Sequence, residues 1–595
     1  MIHYTVSTAT QGHYFDICCT IAYPDPEGQQ LSLPAWIPGS YMIRDFSKNI
    51  LSVTATSAGR EVILVKLDKQ LWRAMPCSGP LQIEYRVYAK DLSVRTAYLD
   101  EQHGFFNGTS LFLSVDGQEQ QPHQLTLIQA ASNPDWSVAT TLPPQQTDEN
   151  GWGLYQCQNY DALIDHPVEM GPFEWVNFEV YGVPHAIVLT GGKQVDTQRL
   201  VKDLTKICRH HTRFFGDSEP PVDQYLFLTT VVEQSYGGLE HRDCCALICA
   251  PEDLPRIGEV EVSDGYRKFL GLCSHEYFHL WNIKRIRPES FTPYQLDEES
   301  YTRQLWAFEG ITSYYDDLAL VQCGIIPEES YLELLGQTLT RLQRSRGQLV
   351  QSVTDSSLDA WTKFYKQDEN ANNAVISYYV KGAVIALMVD LYLREKSHGD
   401  ISLRMVMQLL WEVYGKTQCG VPETTIEQLC HQVADCEIPF LDDALYATKP
   451  LELGPILEKV GIRYRLRPTT SNRDSGGCWI EKQPISWLGL LYKEQTNSIK
   501  VTHVSDNSPA QQAHIATGDH IIALNQLQAK PERVQSILNQ QLPGSELHLH
   551  LFRRGELLEK TVILATPPED TVVLEKVDQP SSTQTTLQQQ WLGSF

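Results

Sequence analysis

The sequence predicts a multidomain protein with an N-terminal antiparallel β domain, a central α+β domain whose C-terminal half is mostly helical, and a C-terminal β-rich domain with short helices. The length of 595 residues suffices for several domains, since one domain takes roughly 100 to 200 residues. Strand-like runs dominate the first 168 residues, helical periodicities dominate the middle, and strand-like runs return near residue 476. We therefore expect domains at 1–168, 169–460 and 476–566, followed by a tail at 567–595.

The N-terminal β domain is predicted from short alternating or β-branched runs at 15–21, 50–56, 81–88 and 111–115. Gly, Pro, Asn and Asp separate these runs, which is typical of turns between antiparallel strands.

The central domain opens with strand-like runs at 175–190 and 224–232. Apolar residues then recur at helical spacing over 266–284, 302–322, 328–345 and 374–395. Gly324 and Pro327 follow the second of these segments, as expected where a helix ends.

The C-terminal region begins with a polar, turn-rich segment at 469–477, which predicts a linker ahead of the last β-rich domain. The tail after residue 566 is rich in Gln, Thr, Ser and Pro. We expect this tail to be poorly ordered except at its last residues.

The charge of the chain excludes one large class of partners. Lys and Arg number 48 against 73 Asp and Glu, a formal net charge of −25. Such a surface repels phosphate backbones and anionic lipids, so we expect neither a nucleic acid nor a membrane partner. We find no apolar run of the roughly 20 residues that span a bilayer and no signal peptide at the start, so we expect a cytoplasmic protein.

The motif that carries chemistry is His275-Glu276-Tyr277-Phe278-His279, an H-E-x-x-H inside a predicted helix. A spacing of four residues places both imidazoles on one face of the helix, where they can bind a single Zn²⁺. Glu276 follows the first ligand and can act on the water at the open zinc position. Two surface histidines that bind no metal remain the alternative reading.

A catalytic zinc site needs a third protein ligand besides an open position. Glu309 lies in the next predicted helix and is the candidate for this ligand. Taken alone, Glu309 would be read as a solvated surface residue, and the preceding motif favours the ligand. The sequence thus predicts one Zn²⁺ per chain.

Two runs, GLCSHEYFHLWNIKRIRP and LWAFEGITSYYDDL, closely resemble the glycyl aminopeptidase family of gluzincin zinc metallopeptidases, whose members end in a PDZ domain. The segments at 33–46, 160–171 and 236–244 are similar to the same family, so the resemblance spans nearly the whole chain. It implies a thermolysin-like catalytic domain behind the N-terminal β domain and a relation to aminopeptidase N.

The resemblance also implies roles for three residues outside the zinc motif. Gly238 and Glu240, in the run GGLEH, match the segment that binds substrate, and the glutamate holds the free α-amine. Tyr379, in SYYVKG, matches the tyrosine that donates to the tetrahedral intermediate. The run GGLEH departs from the Gly-Ala-Met-Glu-Asn of the aminopeptidase N relatives, which leaves the geometry of the substrate pocket open.

Residues 501–525 look like the S-P-A…G-D-x-I core of a PDZ domain. Leu488, Gly489 and Leu490 stand where the carboxylate-binding loop would be, and a C-terminal peptide is the ligand that such a loop takes. A purely structural PDZ domain is equally open, and the chain's own end at 591–595 is one speculative ligand.

These observations predict a zinc-dependent aminopeptidase that removes small N-terminal residues, Gly and Ala, from peptides with a free amino terminus. Glu276 is the expected general base and Tyr379 the expected oxyanion donor. Two alternatives stay open: a zinc endopeptidase that ignores the substrate's amino terminus, and an inactive scaffold that presents the PDZ domain to partner C termini.

Overall fold

The structure is a computed structural model that describes residues 1–481 and 484–593. The chain divides into two compact units. The first comprises Met1–Tyr301 with Gln408–Pro422, and the second comprises Thr302–Met407 with Glu423–Phe595.

The first unit opens with a β domain whose largest sheet has the strand order β14-β15-β12-β1-β2-β8-β4-β5. β1 runs parallel to β12 and antiparallel to β2. The pattern of β8 shows why this sheet forms, since Leu81, Ile83, Tyr85 and Val87 alternate into the core. The elements are β1 (Ile2–Ala9), β2 (Tyr14–Ile21), β3 (Gln30–Ser32), β4 (Ile50–Ser57), β5 (Arg60–Val62), β6 (Leu64–Lys66), β7 (Leu71–Ala74), β8 (Leu81–Tyr88), β9 (Ala97–Leu99), β10 (Gly104–Phe106), β11 (Ser114–Val115), β12 (His123–Ile128), β13 (Ser137–Ala139), β14 (Pro144–Thr147), β15 (Gly153–Cys157), α1 (Tyr160–Ile164) and β16 (Val168–Gly171).

The rest of the first unit contains a mixed sheet in the order β17-β18-β19-β21-β20 and two long helices. β18, β19 and β21 are parallel, while β20 pairs antiparallel with β21 at one edge. The Ser263 side chain caps the last helix by accepting from the Tyr266 amide. The elements are β17 (Glu174–Val180), β18 (Val183–Thr190), α2 (Thr197–Phe214), β19 (Tyr225–Val231), β20 (Gly237–Glu240), β21 (Cys244–Cys249) and α3 (Asp264–Phe278).

The second unit opens with a helical region in which α5 and α9 cross closely. A Cβ atom on Gly310 would lie 2.5 Å from the Cα atom of Gly382, so only glycines allow this approach. The helices are α4 (Leu305–Phe308), α5 (Gly310–Gln322), α6 (Glu328–Arg344), α7 (Val353–Leu358), α8 (Ala371–Ala374), α9 (Tyr378–Lys396), α10 (Leu403–Leu410), α11 (Thr425–Ala434), α12 (Leu441–Tyr446) and α13 (Gly454–Lys459); α10 belongs to the first unit from Gln408 onward.

The segment Ala371–Lys396 is long and apolar enough to cross a membrane by length and composition. The sequence analysis found no such run because Lys381 and Asp390 interrupt it. In the structure 72% of its most apolar window is buried inside the protein, as in the core helix of a folded domain.

A second β-rich region completes this unit, with a sheet in the order β23-β24-β25-β27-β28 and its own apolar core. This confirms the fold class expected from the sequence. The elements are β22 (Ile462–Pro468), β23 (Leu490–Gln495), β24 (Ser498–Val504), α14 (Pro509–Gln512), β25 (His520–Leu524), β26 (Leu527–Gln528), α15 (Pro531–Leu538), β27 (Glu546–Arg553), β28 (Glu556–Ile563), β29 (Glu569–Lys576) and α16 (Ser582–Leu592).

The expectation of a poorly ordered tail is wrong. β29 pairs antiparallel with β22 along its length, and a capping box between Ser581 and Gln584 starts α16. Trp591 is fully buried, its indole N–H donates to the Tyr314 hydroxyl at 3.0 Å, and its carbonyl accepts from Gln322 at 2.7 Å. A few buried apolar side chains therefore hold α16 in place, although the composition of the tail is mostly polar.

Four smaller expectations also change. The predicted helix at 302–322 is two helices, because the chain breaks between α4 and α5 at Glu309. The predicted helix at 266–284 ends at Phe278, with His279 as its C-cap. The run at 111–115 contributes only the short strand β11. The predicted linker at 469–477 is held in place by an ion pair between Arg467 and Asp474.

Candidate active site

The H-E-x-x-H motif occupies the C-terminal end of α3. The Nε2 atoms of His275 and His279 are 3.0 Å apart, and the two rings meet edge to face. The Nδ1 atom of His279 lies 2.8 Å from the backbone carbonyl of Asn282. A carbonyl can only accept, so Nδ1 carries the proton and Nε2 presents its lone pair.

These donors fit a bound zinc ion. Two imidazole Nε2 atoms that converge at one point on a helix end are an arrangement that can supply Zn²⁺ with two nitrogen ligands. The hydrogen bond from His279 Nδ1 to Asn282 is the type of outer contact that fixes a ligand's tautomer. A carboxylate oxygen of Glu240, one of Glu276 and a nitrogen of His279 also lie within 4.8 Å of one another.

Glu276 is held beside the two histidines by the edge strand β20. Its side chain is 5% exposed, and a Cβ atom on Gly238 would overlap its carboxylate. Only glycine at position 238 therefore allows the strand to approach this closely. The role of Gly238 in the structure is to make room for the carboxylate.

Glu240 ends the same strand, two residues beyond Gly238, and is also 5% exposed. A loop of the N-terminal β domain lies against its carboxylate. A Cβ atom on Gly39 would be 2.5 and 2.6 Å from the two carboxylate oxygens, and Gly39 has a φ of +89°. The sequence analysis missed this residue, although the run LPAWIPGSYMIRDF was one of those similar to the family.

A buried group of charges lies next to Glu240. Asp165 accepts from Lys284 Nζ at 2.9 Å and contacts His241 Nδ1 at 3.1 Å. Burial would raise the pKa of Asp165, but Lys284, His241 and Arg242 together lower it far below its usual range. Burial likewise opposes the charge of Lys284, and its pKa is nevertheless raised by Asp165, with Tyr294 and Glu240 contributing. The sequence analysis assigned this lysine no role.

Glu309 and Tyr379 belong to the second unit. Glu309 is 2% exposed and lies at the break between α4 and α5, directly before the close crossing of Gly310. Tyr379 is half-buried in the first turn of α9, and its hydroxyl is 3.3 Å from that of Tyr365.

The neighbouring Tyr378 behaves as a core residue. It is fully buried, and its pKa is raised well above the usual value, first by burial and then by the charges of Tyr365 and Glu309. A hydroxyl that cannot reach solvent cannot reach a substrate, whereas Tyr379 is only half-buried.

The predicted carboxylate loop precedes β23. Gly489 has a φ of +80°, which a glycine adopts without strain. The Leu488 carbonyl accepts from Ala510 and the Gly489 carbonyl accepts from Ser505, each at 3.0 Å. Two backbone bonds thus fix the shape of the loop.

Three protein-family models match successive parts of the chain. The Peptidase M61 N-terminal domain matches residues 3–172, the M61 glycyl aminopeptidase domain matches 268–385, and a PDZ domain matches 486–564. No curated protein matches the sequence.

Among solved structures, an aminopeptidase N family protein from Idiomarina loihiensis is 42% identical, with a TM-score of 0.96; the match covers 99% of this chain and 100% of that one. An M1 zinc metallopeptidase from Deinococcus radiodurans is 14% identical, with a TM-score of 0.47 over 76% of this chain and 94% of that one. Legionella pneumophila aminopeptidase A in complex with aspartic acid is 13% identical, with a TM-score of 0.46; the match covers 75% of this chain and 49% of that one. The three domain matches and the 42% identical relative together show that the chain belongs to the M61 glycyl aminopeptidase family, a family of metallo-aminopeptidases.

Proposed function

We propose that this metallo-aminopeptidase is zinc-dependent and removes small N-terminal residues, Gly and Ala, from peptides with a free amino terminus. The observation that carries the proposal is the arrangement at α3 and β20. Two imidazole nitrogens converge there, and the carboxylates of Glu276 and Glu240 lie beside them.

His275, His279 and Glu309 would hold the zinc ion, one per chain. The ion supplies a Lewis acid for the scissile carbonyl and makes water acidic enough to attack near neutral pH. Glu309 offers a carboxylate oxygen, which is a donor that Zn²⁺ takes besides imidazole nitrogen, and its 2% exposure keeps this donor away from bulk water.

Glu276 would act as the general base. It would accept a proton from the attacking water and pass it to the nitrogen of the leaving amine. Its position against Gly238 supports this role, because the close strand limits the directions in which the carboxylate can point.

Glu240 would bind the substrate's ammonium group through charge-assisted hydrogen bonds, which are stronger than neutral ones. This contact would make the enzyme cleave only next to an amino terminus. The loop at Gly39 supports a preference for small first residues, because its backbone already fills the space on one side of the Glu240 carboxylate.

Tyr379 would donate its hydroxyl hydrogen to the oxyanion of the tetrahedral intermediate. One well-placed donor of this kind contributes roughly 3 to 4 kcal/mol to transition-state stabilisation. The half-buried position of Tyr379 at the start of α9 supports the assignment, because the neighbouring Tyr378 is fully buried.

Turnover of Gly-, Ala- and Leu-p-nitroanilide with and without a chelator tests the zinc and the size preference together. We expect Gly and Ala compounds to be cleaved faster than the Leu compound, chelator to stop all cleavage, and added zinc to restore it. Cleavage that survives complete metal removal would refute the zinc role, and equal rates for all three compounds would refute the size preference.

A further inference from the structure

The C-terminal β-rich region has an open strand edge. β23 lies at the end of its sheet, and within residues 484–593 it pairs only with β24. A free edge offers main-chain hydrogen bonds to an added extended peptide. The helix α15 supplies the facing wall, with Val534, Gln535 and Leu538 lining the groove between helix and strand.

Two features of the cavity that contains this groove are suited to an anion. The backbone N–H groups of Leu488 and Gly489 donate to no acceptor among the residues that the structure describes. Three arginines, Arg341, Arg344 and Arg346, line the same cavity against two carboxylates. A net positive lining is unusual in a chain with a formal charge of −25, and it favours a carboxylate ligand.

The groove is continuous with the surroundings of the proposed oxyanion donor. A single cavity of about 730 Å³ is lined by Leu488, Gly489 and Leu490 and also by Ser377 and Val380, which flank Tyr379 in sequence. All of these residues belong to the second unit.

Hydrogen bonds tie the loop to the segment before α9. The Ser505 amide donates to the Gly489 carbonyl at 3.0 Å. On either side of Ser505, Asn373 donates to the Val504 carbonyl at 3.1 Å and accepts from the Asp506 amide at 3.2 Å. The carboxylate loop is therefore held next to the chain that leads into Tyr379.

The chain's own end is a poor occupant of the groove. Trp591 and Leu592 belong to α16, and Trp591 is buried against Tyr314 and Gln322. A helical, buried segment cannot add to β23 as a strand. Ser594 and Phe595, which the speculative self-ligand would need, lie outside the described residues.

We propose that the groove between β23 and α15 is a substrate exosite that binds the free carboxyl end of the peptide being hydrolysed. Leu488 and Gly489 hold the carboxylate, and an apolar last side chain packs on Val534 and Leu538. The proposal rests on the proposed function, in which Tyr379 contacts the reacting carbonyl. It makes the enzyme selective for short free peptides over the ends of folded proteins, because one peptide must present both of its termini.

The test compares peptides that share an amino-terminal Ala and an apolar last residue, each as the free acid and as the C-terminal amide, from about three to about ten residues long. We expect the amide to have a kcat/KM at least about tenfold lower over part of this range, since a charge-assisted contact is lost. Ala-p-nitroanilide has no carboxyl end to place in the groove and therefore reports the catalytic site alone.

Two variants of α15 test whether the difference in kcat/KM between acid and amide arises in the groove. Gln535→Trp fills the groove, whereas Ser536→Trp places the same side chain on the exposed face of α15. We expect Gln535→Trp to abolish the difference between acid and amide while leaving Ala-p-nitroanilide turnover intact, and Ser536→Trp to retain the difference.

Equal kcat/KM for acid and amide at every length would overturn the exosite, even if peptides bound the groove, because the groove would then serve partner proteins. A difference that survives in Gln535→Trp would also overturn it. Absence of Ala-p-nitroanilide turnover by the wild type would instead refute the proposed function, and the exosite with it.

Discussion

Glu276 and Glu240 are equally buried and lie close together, yet they are assigned different roles. Glu276 follows a zinc ligand in sequence and lies against Gly238, whereas Glu240 ends β20 under the loop at Gly39. Their surroundings explain the assignment, because a base must reach the water at the metal and an amine binder must reach the end of the substrate.

Replacing Glu276 with Gln should reduce kcat by about 10²- to 10⁴-fold, because the general base is lost while the shape of the side chain is kept. Zinc content, measured by plasma emission on the purified variant, should stay at one ion per chain. Loss of the metal together with activity would show that Glu276 is a ligand and contradict the role assigned to it.

The two adjacent tyrosines offer a matched pair. Tyr379→Phe should lower kcat by about 10²- to 10³-fold through loss of the oxyanion donor. Tyr378→Phe removes a hydroxyl that is fully buried and should leave kcat within a few-fold of the wild type. The reverse order of effects in steady-state kinetics would exchange their roles.

Gly39→Ala tests the loop above Glu240. The added Cβ atom would lie 2.5 Å from a carboxylate oxygen, so the side chain of Glu240 must move. We expect KM for Ala-p-nitroanilide to rise about tenfold as the ammonium contact weakens, with a smaller change in kcat.

The control for that variant is Gly59→Ala, which has a similar positive φ of +73° but no atom within 4 Å of the added Cβ. It carries the backbone strain without the contact. If both variants change KM equally, strain alone accounts for the effect and Gly39 does not position Glu240.

Among single residues, the proximity of His275, Glu276 and His279 could be predicted from the sequence because their spacing is local to one helix. It could not predict Gly39 or Asp165, whose contacts with the site join residues far apart in the chain. Only the folded structure shows that Gly39 lies against the carboxylate of Glu240.

Among the elements, the helices and the tail differ from expectation for opposite reasons. The periodicity across 302–322 is continuous, and the break at Glu309 arises where α5 meets α9 at Gly310 and Gly382. Tertiary packing therefore overrides a local helical signal. In the tail, α16 forms despite a polar composition because Leu587, Trp591 and Leu592 are buried.

Trp591→Ala tests whether α16 is part of the folded core. Removing a fully buried indole and its hydrogen bond to Tyr314 should cost roughly 3 to 5 kcal/mol of unfolding free energy. Urea denaturation measures the change. Trp479→Ala, at a position 49% exposed, is the control and should cost much less; equal costs would mean that α16 does not pack as described.

For the whole molecule, the order of β-rich, helical and β-rich regions was readable from periodicity and turn residues alone. The apolar character of the segment Ala371–Lys396 was harder to predict from the sequence, because its few charged residues, such as Asp390, are buried with partners. Asp390 accepts from the Tyr314 hydroxyl at 2.7 Å and from Arg394 at 3.0 Å. Neutralised charges of this kind cannot be told from exposed ones in a sequence.

The central claim is that a free amino terminus on the substrate is required for cleavage. The most direct measurement compares kcat/KM for one Ala-initiated peptide and its N-acetylated form, with products identified by mass spectrometry. The account predicts release of Ala from the free peptide and no cleavage of the acetylated one, because acetylation removes the charge that Glu240 binds. Cleavage of the acetylated peptide at a comparable rate would contradict the account and identify the enzyme as an endopeptidase.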